Sequence, residues 1–401
     1  MSAETHITTR RKGGIFYTCF EDLRAEAAWT VHIREVVDVW SGRDEDVTLF
    51  IPKIYPFTHP PRCRVVPVPT INVRFVREYL YLFFLFFFVL GHGIAKRPRA
   101  VYSRETAFMP GIALACVFLG IPLIMELNGF APLDLERIGA GRWRIFFYVM
   151  MQKVNLRVTT AYVFVSHRIL SLFQDRHRLN PQKIHVVPNG VDTDRFSPGN
   201  PETAKETLRL DGTKEYITYI GSFHPHALTP LIIEAAAVVM KRRPGVTLLM
   251  IGDGHDRPAC EAAAERLSIT DTVVFTGAMP HRLVPWAIRA SSVLVNLVMD
   301  TDDTQSMKML EYLSSGSAVV ANGTTLHDVP LEANIHYVHV KDLTVDAVAG
   351  AVLSVLEDES LTRSLGAHGR ELICEHFSWE KTADRLIDII DSVGNLGRNH
   401  S

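Results

Sequence analysis

The sequence predicts an α/β protein made of doubly wound parallel sheets in two domains. Three observations lead there. The chain has 401 residues, more than a single core of ordinary size organises. Short apolar runs of strand length alternate with helical patterns in both halves, the order that builds parallel sheets covered by helices. Near the middle, Pro188, Asn189 and Gly190 form a tight turn after one such run, and a second series of runs follows.

In the first half, residues 14–19 and 47–51 read as buried strands with a helix over 28–40 between them. Residues 100–102, 123–127 and 162–166 continue the pattern. In the second half the strands are 216–221, 246–252, 272–277, 293–297 and 318–321, with a helix over 259–267. An amphipathic helix over 378–391 closes the series. Ligands of such sheets sit beyond the carboxyl ends of the strands.

Composition narrows the function classes. Hydrophobic residues make up 47% and charged residues 21%, which excludes a disordered chain. A formal net charge of -2 gives no support for a nucleic-acid partner. Cys19, Cys63, Cys116, Cys260 and Cys374 are scattered and form no CxxC pair, so a reducing compartment is expected and a zinc site is not. Arg10, Arg11 and Lys12 resemble the start of an export signal, but Glu21, Asp22 and Arg24 interrupt any apolar region after them, and a cytoplasmic protein is expected.

Residues 79–90, YLYLFFLFFFVL, are an unbroken apolar run of about a dozen residues, short of the roughly 20 that span a bilayer. Gly91, His92 and Gly93 follow, then Lys96, Arg97 and Arg99. A buried core helix is the first reading, a helix lying in the membrane interface the second and a true span the last, and the aromatics and basic flank add weight to interface contact beyond what an ordinary core helix would show.

The most informative stretch is 305–322, QSMKMLEYLSSGSAVVAN, a helix running into a buried strand. Met309, Leu310 and Leu313 share one face, and Lys308 and Glu311 share the other. That pair can be a solvated ion pair, or it can hold a sugar diol and a phosphate at once. The free N–H groups of the first turn, at Ser306 and Met307, add an anion site. The string as a whole resembles the nucleotide-sugar signature of retaining glycosyltransferases with the GT-B fold, family four or group 1, where a small-residue turn leads into xxKxxEYxxxGxxVVA.

A second string, residues 184–198, IHVVPNGVDTDRFSP, resembles the VxVIPNGVDxxxFxP connector between the two domains of these enzymes. Asp192 and Phe196 are expected to anchor it. The segment MELNGFAPLDLER resembles the VLEVNGPL segment of one branch, with Asn128 where other branches carry a catalytic-site His. Asn128 is read either as a plain turn residue or as a contact to sugar or acceptor. His32, one turn into the first helix, reads as a surface or packed residue more readily than as a catalyst.

The resemblance implies two Rossmann-like domains facing a cleft: 1–186 for the acceptor, 187–378 for the donor, and 379–401 as a helix crossing back to the first domain with a tail. It implies a metal-independent hexosyl transfer with retention, from a UDP- or GDP-linked sugar to a hydroxyl of a glycan or a lipid-linked acceptor. No further cofactor is implied. Glu311 is then the ribose ligand, Lys308 with Ser306 and Met307 hold the diphosphate, and Asp303, eight positions before Glu311, holds sugar hydroxyls. Gly221, Ser222, Met279 and Asn189 complete the donor side, with Ala278 to Pro280 against the base.

The chain also departs from the family. The usual Arg after Gly221 and the Lys five residues on are Ser222 and Ala227, so the pair that neutralises the leaving diphosphate is absent. Lys308, the helix N-terminus, His224 and His226 are the remaining candidates. This leaves a catalytically decayed, scaffolding protein as an alternative. A peripheral enzyme at the cytoplasmic membrane face, touching it through 79–90, is a variant of the main reading. The GDG at 252–254 starts like a dinucleotide fingerprint, but position 257 is Arg, and an oxidoreductase has little to rest on.

Overall fold

A computed structural model describes residues 13–24, 28–55, 63–73, 76–106, 108–137, 139–299, 307–323, 325–326 and 329–398. Its described residues divide into two compact units, one running up to Val187 and resumed from Ala383, the other from Pro188 to Thr382.

The first unit carries seven strands: β1 (Ile15–Thr18), β2 (Val47–Pro52), β3 (Arg64–Val68), β4 (Ala100–Arg104), β5 (Leu123–Leu127), β6 (Ala161–Phe164) and β7 (Ile184–Val186). Its helices are α1 (Ala28–Gly42), α2 (Arg77–Lys96), α3 (Pro110–Leu119), α4 (Ala131–Arg137), α5 (Arg142–Val158) and α6 (His167–Gln174). All strand pairs are parallel, in the order β3-β2-β1-β4-β5-β6-β7. The strand order reverses between β1 and β4, and that is where a doubly wound sheet opens a crevice at its carboxyl edge. β1, β2, β4, β5 and β6 are buried along their whole length, as helices on both faces require.

The sequence reading missed β3. It holds Pro67 and an exposed Arg64, features a strand tolerates only at the edge of a sheet, which is where β3 lies. The apolar run at 79–90 is also longer in structure than in sequence: it is the middle of α2, which has 20 residues. The helix continues through Gly91–Gly93 because Gly93 is a contact point. A Cβ there would come within 2.3 Å of Leu119 in α3, so glycine lets the two helices close.

The second unit opens with α7 (Pro201–Leu208), β8 (Glu215–Ile220), α8 (Thr229–Arg242), β9 (Val246–Ile251), α9 (Arg257–Arg266), β10 (Val273–Gly277) and α10 (Val284–Ala290). It continues with β11 (Val293–Asn296), α11 (Met307–Ser314), β12 (Val319–Ala321), a small hairpin of β13 (Thr325–Leu326) and β14 (Val329–Pro330), and β15 (Val338–His339). Then come α12 (Val345–Glu357), α13 (Glu359–His376) and α14 (Trp379–Arg398). The main sheet is parallel in the order β10-β9-β8-β11-β12-β15, with its reversal between β8 and β11. Its core packs α8 and α12 through Ile232, Ile233, Val348 and Val352 against Ile217, Leu248 and Val295.

From Ala383 on, α14 belongs to the first unit. Trp40 Nε1 donates to the Ala383 carbonyl at 3.1 Å, Arg43 pairs with Asp384, and Arg99 reaches Asp391 at 3.1 Å. At its start, still in the second unit, Thr382 Oγ1 donates to Pro188 O at 3.0 Å and Val191 N donates to Phe377 O at 2.8 Å. Asp192 caps the turn by accepting from the backbone N–H groups of Asp194 and Arg195, and Phe196 is buried. Gly190 faces Trp379 so closely that a Cβ would sit 2.7 Å from its backbone. Neither backbone can yield locally. Gly190→Ala is therefore expected to lower stability by about 1–3 kcal/mol, read as a lower urea midpoint.

Candidate functional site

The site in the second unit is assembled at the reversal of its sheet, from the end of β8 and the first turns of α11. Tyr312 fixes one to the other: its hydroxyl accepts from Ile220 N at 3.0 Å and lies 3.3 Å from Ile220 O. Lys308 then leans over Tyr219, with Nζ 4.5 Å from the ring centroid and 3.3 Å from the hydroxyl. Tyr219 O–H itself donates to Ser222 O at 2.9 Å, which sets the loop after β8.

That loop needs glycine. Gly221 has φ +153°, and a Cβ would meet Lys308 Nζ at 2.7 Å. Gly252, with φ +135°, would drive a Cβ to 1.8 Å from Gly221 O, and Gly254 would meet Phe223 O at 2.5 Å. Backbone bonds continue the stack, from Gly221 N to Ile251 O and from Gly252 N to Gly277 O, each 2.9 Å. The GDG glycines thus serve the stacking of three strand-to-helix loops, which accounts for the resemblance to a dinucleotide fingerprint.

Glu311 is buried, 7% exposed, and its Oε1 accepts from His281 Nε2 at 2.8 Å. The reading of Lys308 and Glu311 as a solvated surface pair is therefore wrong: Glu311 is buried in the structure and Lys308 half-buried. Burial pushes the Lys308 ammonium down to about 8, against the opposing pull of Glu311. His281 packs its ring 5.6 Å from Phe196 of the connector turn. Ser314 Oγ donates to Phe196 O at 2.7 Å, so the end of α11 rests on the same turn.

Beyond α11, Asn322 links the ends of β11 and β12 by donating to Val298 O at 2.7 Å and accepting from Val298 N at 2.9 Å. Met279 is half-buried against Tyr216, Leu249, Ile251 and Ala287. Asn189 sits beside Gly190 on the connector turn. Ala227 is 2% exposed within the core of the unit. Asp303 and Ser306 lie outside the described residues, while Met307 opens α11. The structure thus gathers Gly221, Ser222, Lys308 and Glu311 around the end of β8, and adds Tyr219, Tyr312 and His281, which sequence reasoning missed.

The first unit holds a separate polar cluster at its own reversal. Glu126, at the end of β5, is fully buried. It accepts from Tyr17 O–H at 3.2 Å, lies 3.1 Å from His32 Nε2 and 3.7 Å from Arg104 Nε, and also accepts from the Asn128 amide. Burial alone raises a carboxyl, but His32 and Arg104 more than reverse this and hold Glu126 well below the usual carboxylate range. Thr18 Oγ1 donates to Ser103 Oγ at 2.7 Å across β1 and β4. His32 is accordingly a packed, paired residue, and Asn128 is oriented by a carboxylate. The sequence signal for the cluster was a lone Glu in an otherwise apolar strand.

Among known families, residues 200–372 match the model described as glycosyl transferases group 1, and residues 30–195 match that of glycosyltransferase family 4. The chain belongs to the group 1 glycosyltransferases. It is 30% identical over 71% of its length to a D-inositol 3-phosphate glycosyltransferase of Segniliparus rotundus, and the match covers 61% of that protein. A match to the protein of the same name from Rhodococcus erythropolis covers 52% of this chain and 48% of that one at 29% identity. The chain thus spans roughly half to three fifths of the length of these curated relatives.

Among solved structures, sucrose-phosphate synthase from Thermosynechococcus elongatus superposes with a TM-score of 0.71 at 17% identity, covering 95% of this chain and 99% of its own. WaaG, a glycosyltransferase involved in lipopolysaccharide biosynthesis, gives 0.69 at 14% identity, covering 94% and 99%. At such identities the likeness carries the fold alone, which is GT-B with two Rossmann-like units.

Proposed function

We propose that the protein transfers a hexosyl group from a nucleoside-diphosphate sugar to an acceptor hydroxyl on a glycan or a lipid-linked molecule, with retention and without a metal. The observation that carries this is the arrangement of a half-buried Lys308 over Tyr219 and against Gly221, one turn from a buried Glu311 oriented by His281. Lys308 supplies the charge for the diphosphate, aided by the free N–H groups at the start of α11, which Met307 opens, and Ser306 is assigned to the same anion site. Glu311 takes the ribose hydroxyls, and its bond from His281 sets which oxygen is left to do so. Asp303 holds sugar hydroxyls, and Met279 and its neighbours flank the base.

In the reaction the bond between the anomeric carbon and the phosphate oxygen breaks while that carbon bonds the acceptor oxygen on the same face. The acceptor proton passes to the departing phosphate oxygen, so no protein base is required. Residues 187–378 take the donor and 1–186 the acceptor, with Asn128, oriented by Glu126, as a contact to the sugar or acceptor. One related structure, HepE of Anabaena, is in complex with UDP and glucose, and one relative is named as GDP-mannose-dependent, so UDP and GDP are the donor bases to try. The five cysteines are free, which fits a cytoplasmic protein.

The test is incubation with UDP-, GDP- and ADP-linked hexoses and candidate acceptors, followed by nucleoside diphosphate release and the anomeric configuration of the product by NMR. An α-linked product from an α-linked donor supports the reading; an inverted product overturns retention. Nucleotide binding without turnover under any pairing would favour a decayed, scaffolding protein, the reading to which Ser222 and Ala227 point.

The Lys308 shift has a pH consequence. Below about 8 the amine is charged and binds diphosphate, and above it the free protein must take up a proton first. Nucleoside diphosphate affinity is expected to weaken several-fold as pH rises from about 7 to about 9. Calorimetry at several pH values checks this, and Lys308→Met should bind weakly with a flat profile.

A further inference from the structure

We propose that α2, α3 and α5 together form a surface that docks on anionic lipid, lying on the membrane without crossing it. The surface is within the first unit and stands whatever donor the second unit takes. The three helices follow β3, β4 and β5, and each successive crossover moves the same way along the sheet. Right-handed connections therefore place all three on one face.

The clearest member is α5, whose amphipathicity is inverted. Its buried residues are Gln152, Asn155 and Leu156, while Trp143, Phe146, Phe147 and Met150 point to solvent, Trp143 being 84% exposed. These four recur at 3, 4 and 7 residues, one stripe along the helix. The inner polar groups are used: Asn155 Oδ1 accepts from Met109 N at 2.9 Å and its Nδ2 donates to Thr106 O at 2.9 Å. The helix is thus fixed with its aromatic stripe outward.

Its neighbours extend the stripe. α3 exposes Leu114, Val117 and Phe118 and has no charged residue, and α2 exposes Tyr79, Phe83, Phe87 and Ile94. Gly93 locks α2 against Leu119, which keeps the two stripes side by side. A shallow apolar hollow of about 440 Å³ opens on α2 between Phe87, Phe88, Gly91, His92 and Ala95. So much contiguous aromatic surface calls for a partner.

Charge selects the partner. α5 carries Arg142, Arg144, Lys153 and Arg157 and no acidic residue, and all four are exposed. Long basic side chains beside exposed aromatics match an interface where rings enter the headgroup boundary and cations meet lipid phosphates. Glu78 of α2, half-buried and near Tyr148 of α5, is an acidic neighbour, but the exposed charges of α5 itself are all basic, which a hydrophobic partner protein would not need.

Spanning is excluded by packing. By length and composition α2 is the one described helix able to cross a membrane. Yet Tyr81, Leu82, Leu85 and Val89 are buried on the sheet, and the Tyr81 hydroxyl lies 2.9 Å from Cys19 O and 3.0 Å from Phe50 O. Extracting the helix would strip one face of the sheet.

The experiment is co-sedimentation of the full chain with vesicles of phosphatidylcholine, with or without about one-third phosphatidylglycerol. Binding is expected only with phosphatidylglycerol, weakening with salt and falling about tenfold in Arg142→Glu/Arg144→Glu and in Trp143→Ala/Phe147→Ser. In the unaltered protein, a blue shift of tryptophan emission on vesicle addition, absent in Trp143→Phe, gives a readout that needs no disruptive variant. No binding by folded protein, binding indifferent to these changes, or a homodimer that Trp143→Ala/Phe147→Ser turns into a monomer would overturn the proposal.

Discussion

Glu126→Ala is expected to lower stability by about 3–5 kcal/mol, because it leaves Arg104 and His32 buried with no carboxylate between them. Against a typical total of roughly 5–15 kcal/mol, that shifts a urea midpoint far down or abolishes folding at 37 °C. Glu126→Gln keeps the volume and an acceptor, so its cost should be smaller, and the difference between the two isolates the charge. The same cluster predicts acid sensitivity. A carboxyl held below its ordinary value of 4.5 contributes stability that is complete above that value and is lost as pH falls through the lower folded one. In Glu126→Gln this part of the acid dependence should disappear.

Glu311→Ala is expected to weaken nucleoside diphosphate binding by about 100-fold, while the protein stays folded. Two charge-assisted bonds to a ribose diol, at roughly 1.5 kcal/mol each, amount to that loss. The stability cost is smaller: His281 Nε2 loses its acceptor, worth about 1 kcal/mol. His281→Ala separates orientation from binding. It leaves the carboxylate in place but free to turn, so a loss of about tenfold is expected, intermediate between the native protein and Glu311→Ala.

What the sequence made legible was local and patterned. The strands with unbroken apolar runs and the helix holding Lys308 and Glu311 could be placed because their signals lie within a turn or two of chain. The length and order of the signature around Glu311 carried the family resemblance, and the fold and family models agree with it. What remained hidden was tertiary. His281 reads as part of a turn, GAMPH, and its role depends on a carboxylate 30 positions away. Glu126 gathers Tyr17, His32 and Arg104 from three elements, and nothing in the segment MELNG alone announces those partners.

Two misreadings have the same origin. β3 carries Pro67 and an exposed Arg64, so its local pattern is not that of a central strand, and only the strand order shows that it is an edge. The run at 79–90 was bounded by its composition, whereas the helix is bounded by packing, which keeps Gly93 helical against Leu119. GDG was legible as a pattern, but its cause, the stacking of Gly252 on Gly221, involves two loops that a local motif cannot link.

The most direct test of the account is titration calorimetry of the purified protein with UDP, GDP and ADP. Micromolar binding of one of them is expected, with affinity falling as pH rises through about 8. Well-folded protein that binds none of the three would contradict the assignment of Lys308 and Glu311 to a nucleotide-sugar site.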